Sequence, residues 1–157
     1  METTFTINKE KLEVVTSRLF NATPERLWAA QTDPEQIPQW WGPGAYKTIV
    51  EKNDLKIGGG WRYTQTDSNG KVYAFRGEYK EIDEPNKIVR TFEYEPMPGH
   101  ILIETVALEA QADGTTKMTA TAHYDNLNDL EGMVNMGMES GQRESFDRLA
   151  TLVVNNS

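Results

Sequence analysis

Hydrophobic positions alternate with period two over most of this chain and switch to a helical period in two places. Val14, Val15, Thr16 and Phe20 mark Lys11 to Phe20 as a first strand, ended by Asn21. Thr23-Pro24-Glu25 supplies an N-cap, a first-turn proline and a first-turn carboxylate, which predicts a short helix from Pro24 to Gln31 with Leu27 and Trp28 inward. Asp33-Pro34-Glu35-Gln36 repeats the start signal, and Pro38 interrupts the second short helix it opens. Trp40-Trp41-Gly42-Pro43 reads as a turn before a strand near Tyr46 to Lys52. A meander follows: Trp61 to Thr66, Lys71 to Ile82, Ile88 to Glu95, Ile101 to Glu109 and Thr115 to Tyr124. Its turns carry Asp67-Ser68-Asn69-Gly70, Asp83-Glu84-Pro85-Asn86, Pro96 to Gly99 and Ala112-Asp113-Gly114. Asn128 to Val153 then reads as one long helix, with Asn128 and Glu131 placed as in a capping box. Six to seven strands joined by hairpins, with segregated helices, define an antiparallel α+β domain.

At about 100° per residue, Val134, Met138, Gly141, Ser145, Leu149 and Leu152 share one stripe of the final helix, opposite Glu139, Arg143 and Asp147. The stripe must pack on the sheet, yet Gly141, Ser145 and the flanking Gly137 and Gln142 are small or polar where leucine would pack best. A helix that under-fills its own contact surface predicts a cavity. Met133, Met136 and Met138 serve either as core gap-fillers or as an adaptable ligand wall.

The strand faces give the opposite wall. Tyr73, Phe75, Gly77 and Tyr79 share parity, as do Ile88, Phe92 and Tyr94, then Leu102, Val106 and Leu108, then Met118, Ala120, Ala122 and Tyr124. Ala120 and Ala122 leave room for the helix. Arg90 and Glu104 fall on two of these apolar faces: either a bulge or open edge carries them to solvent, or they are buried and need a partner or a job. Trp28 reads as core, whereas Trp40 and Trp41 sit in a turn where at least one is placed to close a cavity mouth.

Charge and composition narrow the function. Sixteen Lys plus Arg against twenty-four Asp plus Glu give a net charge of −8 over 157 residues, which opposes nucleic acid and anionic membranes. With no cysteine, disulfides and thiol nucleophiles are excluded. His100 and His123 are isolated and read as surface residues, so neither metal nor cofactor is expected. Gly58-Gly59-Gly60 runs into a strand and lacks a Lys-Ser/Thr ending, which argues against a phosphate loop. No secretory apolar segment or membrane span is evident, so a cytoplasmic location is expected. Residues 1–10 read as an arm on a single domain of residues 11–157. Phe5 and Ile7 alternate there, so the arm is suited either to adding to another subunit's sheet edge in a homodimer or to a free tail.

Six motifs in order carry a family resemblance: Thr23-Pro24-Glu25-Arg26-Leu27-Trp28, Thr32-Asp33-Pro34-Glu35, Trp40-Trp41-Gly42-Pro43, Gly58-Gly59-Gly60-Trp61-Arg62, Gly77-Glu78-Tyr79, and Gly137 to Gly141 with Glu144 to Leu149. From about Leu12 to Val153 the chain resembles the activator of heat-shock protein 90 ATPase homologue family, within the START-like (SRPBCC) helix-grip superfamily. The resemblance implies a curved antiparallel sheet wrapped around the C-terminal helix, with an apolar cavity between them. Three functions then compete. A carrier or sensor would bind a small hydrophobic, aromatic or lipid-like molecule, lined by Trp40, Trp41, Trp61, Tyr63, Phe75, Phe92, Tyr94, Met138, Gly141 and Gln142. A polyketide cyclase or hydrolase-like enzyme would need polar groups in the same cavity, with Arg90, Glu104 and Tyr73 as charge stabiliser and acid/base. A co-chaperone-like regulator would use a surface instead.

Overall fold

A computed structural model describes residues 2–155 and contains one eight-stranded antiparallel sheet. The strands are β1 (Thr4–Asn8), β2 (Glu13–Phe20), β3 (Lys47–Asn53), β4 (Gly60–Thr66), β5 (Val72–Asp83), β6 (Lys87–Tyr94), β7 (Ile101–Ala110) and β8 (Thr116–His123). Their spatial order, β1-β2-β8-β7-β6-β5-β4-β3, follows from a hairpin, one long crossover from β2 to the far edge, and a meander that returns strand by strand to β2. The crossover carries α1 (Pro24–Thr32) and a short 3₁₀ turn at Ile37–Gln39. Thr23 Oγ1 caps α1 by accepting from the Arg26 N–H at 3.1 Å, as its sequence requires. α2 (Leu127–Asn135) and α3 (Met138–Asn155) complete the chain.

Three expectations are corrected here. The C-terminal segment is two helices, because Gly137 adopts φ +93°, a left-handed conformation that ends α2 before α3 begins. Its N-cap is Asn126, whose side chain accepts from the Asp129 N–H at 2.8 Å, rather than Asn128. The strands number eight rather than six to seven, because residues 4–8 of the expected arm pair with β2 of their own chain, Phe5 opposite Thr16 and Ile7 opposite Val14. Phe5 packs on the interior cluster formed by Val14, Leu102, Ala122, Tyr124 and Leu130. A larger cluster joins Phe20, Leu27, Trp28, Ile37, Trp40 and Trp61 to Phe146, Leu149 and Val153 of α3.

The close packing of β4, β5 and β6 depends on one missing side chain. Trp61, on β4, projects across Gly77 of β5 and donates its indole N–H to the Thr91 carbonyl of β6 at 3.1 Å. A Cβ on Gly77 would lie 1.9 Å from that carbonyl oxygen and 2.5 Å from the indole nitrogen. On the convex side, Arg62–Glu95 and Arg76–Glu93 ion pairs at 2.7 and 2.8 Å stitch β4, β5 and β6 together. Gly77→Ala is expected to lower unfolding free energy by about 1–3 kcal/mol through this overpacking, read by urea denaturation.

Candidate functional site

The cavity forms where both walls are small. Ala120 and Ala122 of β8 line one side and Gly141 of α3 lines the other; a Cβ added at Gly141 would meet nothing within 4 Å. On one side of this gap Phe146 meets Phe20 with ring centroids 5.9 Å apart. Met138 Sδ and the Tyr124 hydroxyl, at 3.5 Å, join α3 to the segment after β8. The space between the two walls measures about 280 Å³. Its wall is mostly apolar, with Val14, Leu102, Val106 and Met118 on the sheet and Met133, Met136 and Met138 along the two helices.

The rim is built by the crossover. Trp40 donates its indole N–H to the Ala30 carbonyl at 2.8 Å and is 5% exposed, so it is wall and core together. Trp41 is half-buried, with its ring edge-on to Tyr63 and Phe75 at centroid distances of 5.1 and 5.3 Å. Gly42 has φ +81°, and the Gln65 amide occupies the place of its missing side chain. Two side chains of α3 clamp this loop. Arg148 donates to the carbonyls of Gly42 (2.7 Å) and Gln39 (3.0 Å), and Glu144 accepts from the Gly44 N–H at 2.6 Å.

One charged pair stands inside. Arg90 and Glu104 are direct neighbours across β6 and β7, and the Arg90 Nε–H donates to Glu104 Oε1 at 2.7 Å. The guanidinium stacks 3.9 Å from the Trp61 ring centre and donates to the Tyr63 hydroxyl at 3.2 Å. Burial alone would depress the Arg90 pKa, but Glu104 and the Tyr63 and Tyr79 hydroxyls outweigh it and hold Arg90 protonated above its ordinary value. Burial raises the hydroxyl pKa of Tyr79, which donates to Asn53, and that of Tyr124, where the Glu104 charge adds to the effect. Parity had placed both charges on the inner face, and there they are paired rather than carried to solvent.

Of the residues expected in the wall, Trp40, Trp41, Phe75, Arg90, Phe92, Glu104, Met138, Gly141 and Gln142 line the cavity. Trp61, Tyr63, Tyr73 and Tyr94 do not. Trp61 and Tyr63 lie beneath Arg90 and Trp41, while Tyr73 and Tyr94 stack on each other with centroids 6.5 Å apart, Tyr73 also meeting Tyr46. Parity assigns a face but not what covers each residue on it. Thr16, Gln65 and Ser145 also line the wall. Thr16 and Gln65 were legible from alternation along β2 and β4, and Ser145 from the helical stripe.

His100 and His123 are exposed, His100 Nδ1 lying 2.7 Å from Asp129 and His123 Nδ1 3.8 Å from Glu13. Among the described residues, no three His, Cys, Asp or Glu side chains converge as metal ligands. No helix there is long and apolar enough to cross a membrane.

A curved antiparallel sheet gripping a C-terminal helix around a cavity defines a helix-grip protein of the START-like class. The chain belongs to the Activator of Hsp90 ATPase homolog 1-like family, whose sequence model matches residues 21–154. No curated protein sequence matches it. Among solved structures it is similar to protein Ms6760 from Mycobacterium smegmatis, with 24% identity, 99% of each chain covered and a TM-score of 0.86. A protein from Rhodobacter sphaeroides has 21% identity, 99% coverage of each chain and a TM-score of 0.90. CalU16 from Micromonospora echinospora is more distant, at 17% identity, 97% of this chain, 85% of that one and a TM-score of 0.64. These identities establish a shared fold.

Removing one partner of the Arg90–Glu104 pair leaves a buried charge uncompensated. Glu104→Gln is expected to cost about 3 kcal/mol of stability. Replacing both, by Arg90→Met with Glu104→Leu, should recover more than half of that loss, and a double-mutant cycle in urea measures it.

Proposed function

We propose that this protein binds a small hydrophobic molecule in the cavity between the sheet and α3, as a carrier or sensor. The observation that carries this reading is Gly141. A glycine in the first turns of a helix costs about 0.5–1 kcal/mol relative to alanine. This one faces open space in which a larger side chain would fit, opposite two alanines. Packing for stability alone would fill that gap; a binding site keeps it open. The aromatic and thioether wall suits an apolar guest of variable shape.

A cyclase-like or hydrolase-like enzyme would draw on the same Arg90–Glu104 pair, which faces inward as such chemistry requires. Tyr73, the third group that reading needs, stacks outside the cavity, and Arg90 is engaged by Glu104, Tyr63 and Trp61. The carrier or sensor reading therefore has the stronger support.

Gly141→Ala is expected to stabilise the fold by about 0.5–1 kcal/mol, measured by thermal or urea unfolding. Gly141→Phe should fill the gap while the protein stays folded. Uptake of the uncharged dye prodan, followed by its blue-shifted emission, should then fall about tenfold or more relative to the unaltered chain. Equal prodan binding by a folded Gly141→Phe protein would overturn the proposal. Native mass spectrometry of protein purified without detergent reads the same site directly, through any small molecule that Gly141→Phe fails to retain.

A further inference from the structure

Beside the guest cavity, and sharing Trp40, Trp41, Arg90 and Glu104 with it, lies a second space of about 20 Å³. Polar side chains reach it from α1 (Gln31), from β4 and β5 (Tyr63 and Tyr79) and from β6 and β7 (Arg90 and Glu104). Ile37 and Trp40, 1% and 5% exposed, cover it with apolar bulk. An internal water needs at least about 10–15 Å³ and two to four polar partners. The volume meets the first condition, and the hydrogen bonds of the lining decide the second.

Three atoms have bonding capacity left. Arg90 gives its Nε–H to Glu104 Oε1 at 2.7 Å and its Nη1–H to the Tyr63 hydroxyl at 3.2 Å, while Nη2 has no partner among the described residues. Glu104 Oε2 accepts no hydrogen bond from them, and neither does Gln31 Oε1, whose Nε2 donates to Met118 Sδ at 3.4 Å. None of the three is sealed in, because the sealed side-chain nitrogens and oxygens without a partner, among the described residues, are Thr3 Oγ1 and Arg18 Nε. Arg90, Glu104 and Gln31 each line both spaces, so they stand where the small chamber meets the cavity.

The unused set is one cationic donor, one anionic acceptor and one neutral acceptor. A cation there would meet the guanidinium and an anion the carboxylate, each a like charge at short range. A neutral molecule with one accepting and two donating positions satisfies all three, and water is the smallest that does. We infer that one buried water is bound by Arg90 Nη2, Glu104 Oε2 and Gln31 Oε1, accepting from the first and donating to the other two. The polar end of the cavity is then a hydrated triad that includes α1, and not a bare ion pair. Gln31 is its positioning residue: it holds the water, and the water completes the hydrogen bonding of a charged pair that is otherwise expensive to bury. This site does not depend on what fills the larger cavity.

A crystal structure of the unaltered chain, at a resolution that shows ordered solvent, tests it. One solvent peak is expected about 2.7–3.2 Å from all three atoms. In solution, the Arg90 Nε–H resonance should show cross-relaxation with a bound water in rotating-frame NMR spectra. Gln31→Met keeps the bulk and removes the acceptor, so that signal should weaken about fivefold, the worth of one hydrogen bond. A solvent peak missing any of the three contacts, or Arg90 Nη2 turned directly onto Glu104 Oε2 in a dry chamber, would overturn the site. An undiminished water signal in folded Gln31→Met protein would overturn it as well. Should that variant not fold, the structure of the unaltered chain decides alone.

Discussion

The separation of α3 from the sheet is the constraint on which the rest of the molecule depends. Phe20, Phe146, Leu149 and Val153 pack fully at one part of that contact, while Gly141, Ala120 and Ala122 under-fill another. Large residues act as a prop, and the small ones inherit the space it creates. The gap measures about 280 Å³, nearly twice the roughly 150 Å³ of an engineered core cavity that holds benzene. A gap of that size is a large concession for packing alone.

The inner charges are tolerated because the sheet prepares a place for them. Gly77 lets Trp61 lie flat across β5, and Trp61 in turn provides the ring face that supports the Arg90 guanidinium. A desolvated cation over an indole gains about 2 kcal/mol, which offsets part of the cost of burying it. Tyr63 and Glu104 supply the remaining contacts, so a glycine on β5, the strand beside the one that carries Arg90, shapes the support of the cavity's polar floor.

How far the sequence could be read depended on how local each determinant was. Thr23-Pro24 announces α1 because a cap needs only its neighbours, and Asp67 to Gly70 marks its hairpin for the same reason. The stripe on α3 was legible for the same kind of reason: Ser145, Leu149 and Leu152 are buried, and Glu139, Arg143 and Asp147 exposed. The break at Gly137 was hidden, since the apolar spacing continues through it from Val134 to Met138 and Gly141, while the backbone there turns left-handed. Residues 4–8 alternated visibly, but the link that folds them back onto β2, Lys9-Glu10-Lys11-Leu12, carries no Gly or Pro to mark a hairpin. In the site, alternation placed Trp61, Tyr63, Tyr73 and Tyr94 inward. It could not tell that Trp41 and Arg90 would lie over the first two, or that the other two would stack beyond the cavity.

The placement of the four indoles has an optical consequence. Trp28, Trp40 and Trp61 are 6%, 5% and 1% exposed, whereas Trp41 is half-buried at the rim. An aqueous collisional quencher therefore reaches chiefly one emitter, the one at the doorway. The native luminescence of this chain carries a built-in report on that doorway, with no label attached.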